Sequence, residues 1–244
     1  MTPILMAFIG IAAGFALDAA VARLAREPYE RDDDPPAGDA EGQASARHGL
    51  ELASEAGALA MPSGLTSGAR YRTAAVVALS AALFAAVGAR YDGNALHVAI
   101  VAAYCGVLII CSATDLLAYR VPNVVTYPAI LSSFLIGMVM PDANRLDVAI
   151  GGLLFGGLLF VPCVITGGAM GMGDVKLAFF VGFALGLTNV VPAMLIMALA
   201  GGLAAVGLLV SKRRNRRDPI PYAPFICLGA AWSLLAYGVA FQTL

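Results

Sequence analysis

Charge is scarce in this chain. Asp, Glu, Lys and Arg make up 13% of its 244 residues, against 60% apolar residues, and the formal net charge is −1. So few charges cannot clothe a soluble domain of this size, and a near-zero balance gives no footprint for nucleic acid. Mean hydropathy is +0.82. Histidine is nearly missing: His48 and His97 stand alone, one in a polar stretch and one in a turn, which argues against a His-based site. The four cysteines, Cys105, Cys111, Cys163 and Cys227, all lie in apolar runs and form no C-x-x-C pair. That excludes the usual zinc and disulfide frameworks and leaves small buried hydrophobes. No basic n-region precedes the first apolar run, so it is expected to be a retained helix and not a cleaved signal.

What is present is a series of long apolar runs. Eight are expected to form membrane helices: 3–22, 73–90, 95–114, 124–140, 147–166, 174–187, 189–210 and 222–242. The fold class is therefore all-α, a polytopic membrane helix bundle. Only Thr188 and Asn189 separate segments 174–187 and 189–210, so the shorter one has a second reading as a half-helix lining a cavity. The stretch 23–72 differs in kind. It holds nine of the sixteen acidic residues, including Asp32, Asp33 and Asp34, and few aromatics. Such a composition predicts a mostly disordered loop between helix 1 and a multi-helix domain over 73–244.

Lys and Arg positions order the topology. With the 23–72 loop on the cytoplasmic side, alternation places thirteen of the fifteen basic residues there and leaves only Arg90 and Arg145 outside. The same alternation brings Asp115 and Asp174 to one membrane face, although 59 residues separate them.

Those two aspartates carry the chemistry. An acid in a bilayer costs about 2.5–3.5 kcal/mol at mid-membrane on insertion scales, so it marks function by default. Asp115 closes a hydrophobic segment and is followed by Pro122 and Asn123. Asp174 follows Gly171, Met172 and Gly173, and two glycines let the backbone turn and approach other groups closely. Two carboxylates within a few ångström share a proton, one activating water while the other protonates the scissile carbonyl and then the leaving amine. The competing structural readings pair Asp115 with Arg120 and make Asp174 a helix cap. Lys176 reads as a snorkelling side chain, and Asp18 as a partner of Arg23 or of lipid headgroups. The basic run Lys212–Arg217 reads as a topology anchor.

The run Gly171–Leu177 resembles the GxGDxKL motif of type IV prepilin peptidases, which are GxGD intramembrane aspartyl proteases. Asp115 to Asn123 is similar to that family's other catalytic motif. Ile220–Phe225 with Gly229 and Ala230 resembles its last-helix signature, and Gly14–Leu24 with Arg70–Arg72 is similar to the opening of the long, bifunctional form that also N-methylates its product. The resemblance implies an Asp115–Asp174 dyad supported by Gly171, Gly173, Lys176, Pro122 and Asn123. It implies a multi-pass inner-membrane enzyme in the lipid bilayer, acting on prepilins or pseudopilins from the cytoplasm without metal or other cofactor. The long form carries two C-x-x-C pairs between helices 1 and 2; residues 23–72 have no cysteine. A small proton-coupled transporter using the paired acids is the rival class.

Overall fold

The computed structural model describes residues 3–25, 65–91, 95–165, 171–210 and 221–241. They are all-helical: α1 (Pro3–Leu24), α2 (Leu65–Arg90), α3 (Ala95–Ala118), α4 (Asn123–Val139), α5 (Arg145–Ile165), α6 (Met172–Val210) and α7 (Ala223–Ala236). Five of them, α1, α2, α3, α5 and α6, are long and apolar enough to cross a membrane; α4 and α7 are shorter apolar helices. The disordered-loop expectation falls mostly on 26–64, and the basic-anchor expectation on 212–217, both outside the described residues. The second helix begins at Leu65, earlier than the apolar pattern suggests.

Polarity is arranged as a bilayer requires. Large apolar side chains such as Phe8, Phe15, Leu146 and Ile165 are exposed, while Asp18, Ser80, Thr114, Asp115, Thr126, Ser133, Asp174 and Ser233 are buried. Buried hydroxyls return to backbone carbonyls: Ser80 Oγ donates to Val76 at 2.7 Å and Thr114 Oγ1 to Ile110 at 2.8 Å. Without water in the hydrocarbon, these internal bonds satisfy groups that otherwise cost several kcal/mol each.

Glycines bring the helices together. A Cβ on Gly14 of α1 would lie 2.7 Å from Val77 Cα, and one on Gly10 would lie 2.8 Å from Ala81 Cα. Gly10 and Gly14 are four apart, so one glycine face of α1 lies flat on α2, the small-residue packing that replaces hydrophobic drive inside lipid. At the far end of this antiparallel pair, Asp18 accepts from Arg72 Nε at 2.8 Å, from Arg72 Nη2 at 3.3 Å and from Thr73 Oγ1 at 2.8 Å. The partners of Asp18 thus include a residue 54 positions away on α2, a correction to the reading from sequence neighbours alone. A second glycine seam joins α5 to α6, where Phe183 packs against Gly152 and Phe179 against Gly156.

The expected boundary between segments 174–187 and 189–210 is Gly186, inside α6, at φ 72° and ψ 173°. That conformation belongs almost only to glycine. Before it, Phe180 stacks edge-on to Tyr104 of α3 and Phe183 to Phe134 of α4. After it, Asn189 meets Ser233, Ala193 meets Gly229, and Gly201 meets Phe225, so the chain runs back along α7 toward its own start. The first half, Met172–Leu185, rises only about 21 Å. Asp147, in the first turn of α5, holds the reversal: its Oδ1 accepts from Thr188 N at 3.3 Å and Thr188 Oγ1 at 3.0 Å. Ala240 N also donates to the Ala184 carbonyl at 3.0 Å.

Candidate active site

The C-terminal end of α3 and the N-termini of α4, α6 and α7 converge at one end of the bundle. Asp115 lies in the last turn of α3, one turn below its exit. Tyr119 ends that helix: its N–H still bonds the Asp115 carbonyl at 2.9 Å, but its φ is 51°. A non-glycine residue in the left-handed region costs about 1–3 kcal/mol, which the neighbouring contacts must offset. The chain then passes Arg120 and Val121 to Pro122, which caps α4 with φ −73° and ψ 126°. The Pro122 carbonyl accepts the N–H groups of Val125 and Thr126, both at 3.1 Å. Pro122 thus stands just before α4, and Asn123 is its first residue.

Asp115 is buried, and its Oδ2 accepts the backbone N–H of Ala223 at 3.1 Å. Ala223 is the first residue of α7, with a proline next to it at the helix start. A free N–H at a helix N-terminus is a natural seat for a carboxylate. Arg120, the alternative partner for Asp115, turns its guanidinium to the Leu24 carbonyl at the end of α1.

Asp174 sits in the first turn of α6, also buried, and its N–H donates to the Gly171 carbonyl at 3.0 Å. Its Oδ1 is buried with no hydrogen-bond partner. A simple helix cap would have spent that oxygen on backbone N–H groups. Cys227 of α7, also buried, lies one turn below Ala223. The buried pair therefore combines one carboxylate fixed by a helix terminus with one that presents a free oxygen.

The motif glycines have separate duties. A Cβ on Gly173 would come 2.9 Å from Val121 Cβ, so its bareness lets α6 press against the loop that follows Asp115. A Cβ on Gly171 would lie 3.6 Å from Asp174 Oδ2, an ordinary contact beside the carboxylate. Lys176 is half-buried; its Nζ donates to Asn123 Oδ1 at 3.0 Å and lies 4.7 Å from the Tyr127 ring centroid. All seven residues singled out from the sequence thus meet in one region. Tyr127 was not singled out and looked like any residue of an apolar helix. Ala223 entered only within the last-helix run Ile220–Phe225, and Cys227 only as a small buried hydrophobe, neither with a part in the site. Among the described residues, no cluster of three or more His, Cys, Asp or Glu side chains suits a metal ion.

Comparison with known proteins adds an independent line. The model of the type IV leader peptidase family matches residues 102–206, a span that contains both aspartates. A prepilin leader peptidase/N-methyltransferase of Bacillus subtilis is 34% identical over 162 residues, covering 65% of this chain and 62% of that protein. One of the same name from Burkholderia pseudomallei is 31% identical over 193 residues, covering 72% and 58%. One from Aeromonas hydrophila is 27% identical over 137 residues, covering 54% and 47%. The chain spans about three fifths of the length of the first two relatives. No solved structure matches.

Proposed function

We infer that the chain belongs to the type IV leader peptidase family, and from that premise we propose that it is a membrane aspartyl endopeptidase that removes the leader from type IV prepilins or pseudopilins. The observation that carries the proposal is the buried pair itself: Asp115 held by the Ala223 N–H, and Asp174 with an unpartnered oxygen. An unpartnered buried carboxylate oxygen costs free energy and is retained where it has a partner to meet in the reaction. In the proposed reaction the pair shares one proton. The ionised member takes a proton from water as that water attacks the scissile carbonyl. The protonated member gives its proton to the carbonyl oxygen, and the leaving amine is then protonated as the C–N bond breaks. The two roles belong to the pair and not to one named member.

Gly171, Gly173, Pro122 and Asn123 serve this chemistry by shaping the approach of the two helix ends. The thirteen basic residues assigned to one side support an inner-membrane enzyme with the dyad facing the cytoplasm. On that side a basic leader would meet the aspartates. The transporter alternative calls for acids at mid-membrane beside broken helices. Here both acids lie at helix ends, which favours the peptidase.

The printed names of the relatives also include N-methyltransferase. Residues 23–72 have no cysteine, so the paired-thiol zinc module of the long form has no counterpart in that stretch. We assign the peptidase activity alone. The test is co-expression of a prepilin with wild type, Asp115→Asn and Asp174→Asn, followed by gel shift and by mass measurement of the mature N-terminus. Wild type is expected to release the leader and leave the new amine unmethylated, and neither variant is expected to cleave. Cleavage by either well-inserted variant would contradict the aspartate assignment. A methyl group whose addition depends on this protein would contradict the single activity.

A further inference from the structure

Lys176 is in an unfavourable place for a cation. It lies in the first turns of α6, where the helix presents its positive end. Beside it stands the N-terminus of α4, another positive end. The two helices run in parallel here: Lys176 faces Asn123 and Tyr127, and further along Phe183 faces Phe134. Two like helix ends and an ammonium group repel one another. Free to snorkel, the side chain would carry its charge into water. It is instead half-buried, with Nζ at 3.0 Å from Asn123 Oδ1 and over the face of Tyr127. An amide oxygen and an aromatic face are neutral groups that can receive an ammonium.

The contact spans the two halves of the site. Asn123 stands eight residues after Asp115, at the end of the turn made by Tyr119–Pro122; Lys176 stands two after Asp174. Between them Val121 rests on the bare Cα of Gly173. Loosening the lysine contact would free the start of α4, then the turn, then the separation of the carboxylates. We infer that Lys176 is a positioning residue, which clasps Asn123 and the ring of Tyr127 so that α4 and α6 hold Asp115 and Asp174 at reacting distance. The inference rests on the assignment of those aspartates as the reacting pair. It extends the site to Tyr127, which lies outside the motifs, and gives Lys176 no proton to transfer.

The test uses purified full-length protein in vesicles, with a prepilin as substrate. The variants are Lys176→Met, Lys176→Arg, Asn123→Ala, the Lys176→Met/Asn123→Ala double, and Asp174→Asn. Misplacement of reacting groups by about 1 Å costs on the order of 100-fold. Lys176→Met and Asn123→Ala are each expected to lower kcat by about 10- to 100-fold with KM nearly unchanged. The double variant should be no worse than Lys176→Met, because both remove one contact. Lys176→Arg, which still donates to an amide and stacks on a ring, should recover most of the rate. The limbs of the pH–rate profile should stay in place in every active variant. Additive losses, an Arg variant as poor as Met, or a limb that moves in Lys176→Arg would each overturn the inference. If these appear while Asp174→Asn is dead, the clasp alone fails. Cleavage by Asp174→Asn would overturn the aspartate assignment and the clasp with it.

Discussion

At the residue scale, the site depends on what is left out as much as on what is present. Gly173 is the sharpest case, because Val121 occupies the space where its side chain would project. Gly173→Val should separate the turn after Asp115 from the start of α6. It is expected to lower cleavage at least 10-fold, with partial recovery in Gly173→Val/Val121→Ala, as scored by product formed per inserted enzyme. Undiminished cleavage by the single variant would show that this close approach does not matter. The need for a small residue was legible from the Gly-x-Gly spacing, but the neighbour that requires it was not. Val121 is 52 positions away, and no local pattern identifies it. The same distance hid the Asp18–Arg72 pair and the Lys176–Asn123 bond. The role of Ala223 was hidden for a different reason. It acts through its backbone N–H, and any non-proline residue carries that group.

At the scale of elements, the apolar runs located every described helix, although α4 and α7 fall short of the length that hydrocarbon thickness sets and the run expected over 222–242 is helical only over Ala223–Ala236. The ends were less legible. Asp115 falls inside α3 and not beyond it, since hydrophobicity stops at the interface while helical hydrogen bonding continues to Ala118. Thr188 and Asn189 drew attention as polar separators, whereas the reversal in α6 is made by Gly186, one glycine among 27. Its φ and ψ lie in a region essentially closed to other residues, and an added Cβ would strike the Asp147 carboxylate. Gly186→Ala should therefore destabilise the protein by about 1–3 kcal/mol. Asp147→Ala, which removes the side-chain acceptor for Thr188, should cost about 1 kcal/mol. Thermal unfolding in detergent is the check, and the Gly186 variant is expected to have the lower midpoint of the two. Equal midpoints for wild type and Gly186→Ala would contradict the account of the reversal.

At the scale of the whole molecule, the bundle is an inverted globule at its surface and an ordinary one within. Exposed leucines and phenylalanines surround a core in which, among the described residues, the buried side-chain polar atoms left without a hydrogen bond are Tyr104 Oη and Asp174 Oδ1. The α1–α2 pair is closed by glycine packing at one end and by Asp18 and Arg72 at the other. The α5–α6 pair is closed by a second glycine seam. Between these pairs α3 and α7 bring Asp115 and the Ala223 N–H together, and the first turn of α6 carries Asp174. This arrangement makes one claim central, that Asp115 and Asp174 act as a single cleaving unit. The direct measurement is the turnover number of purified Asp115→Asn, Asp174→Asn and the double variant on a prepilin, beside wild type of equal thermal stability. Residues acting as a unit fail together. Each single variant should fall by at least about 1,000-fold, and the double should fall no further than the worse single. Independent, multiplying losses, or a single variant that keeps a tenth of the wild-type rate, would contradict the account.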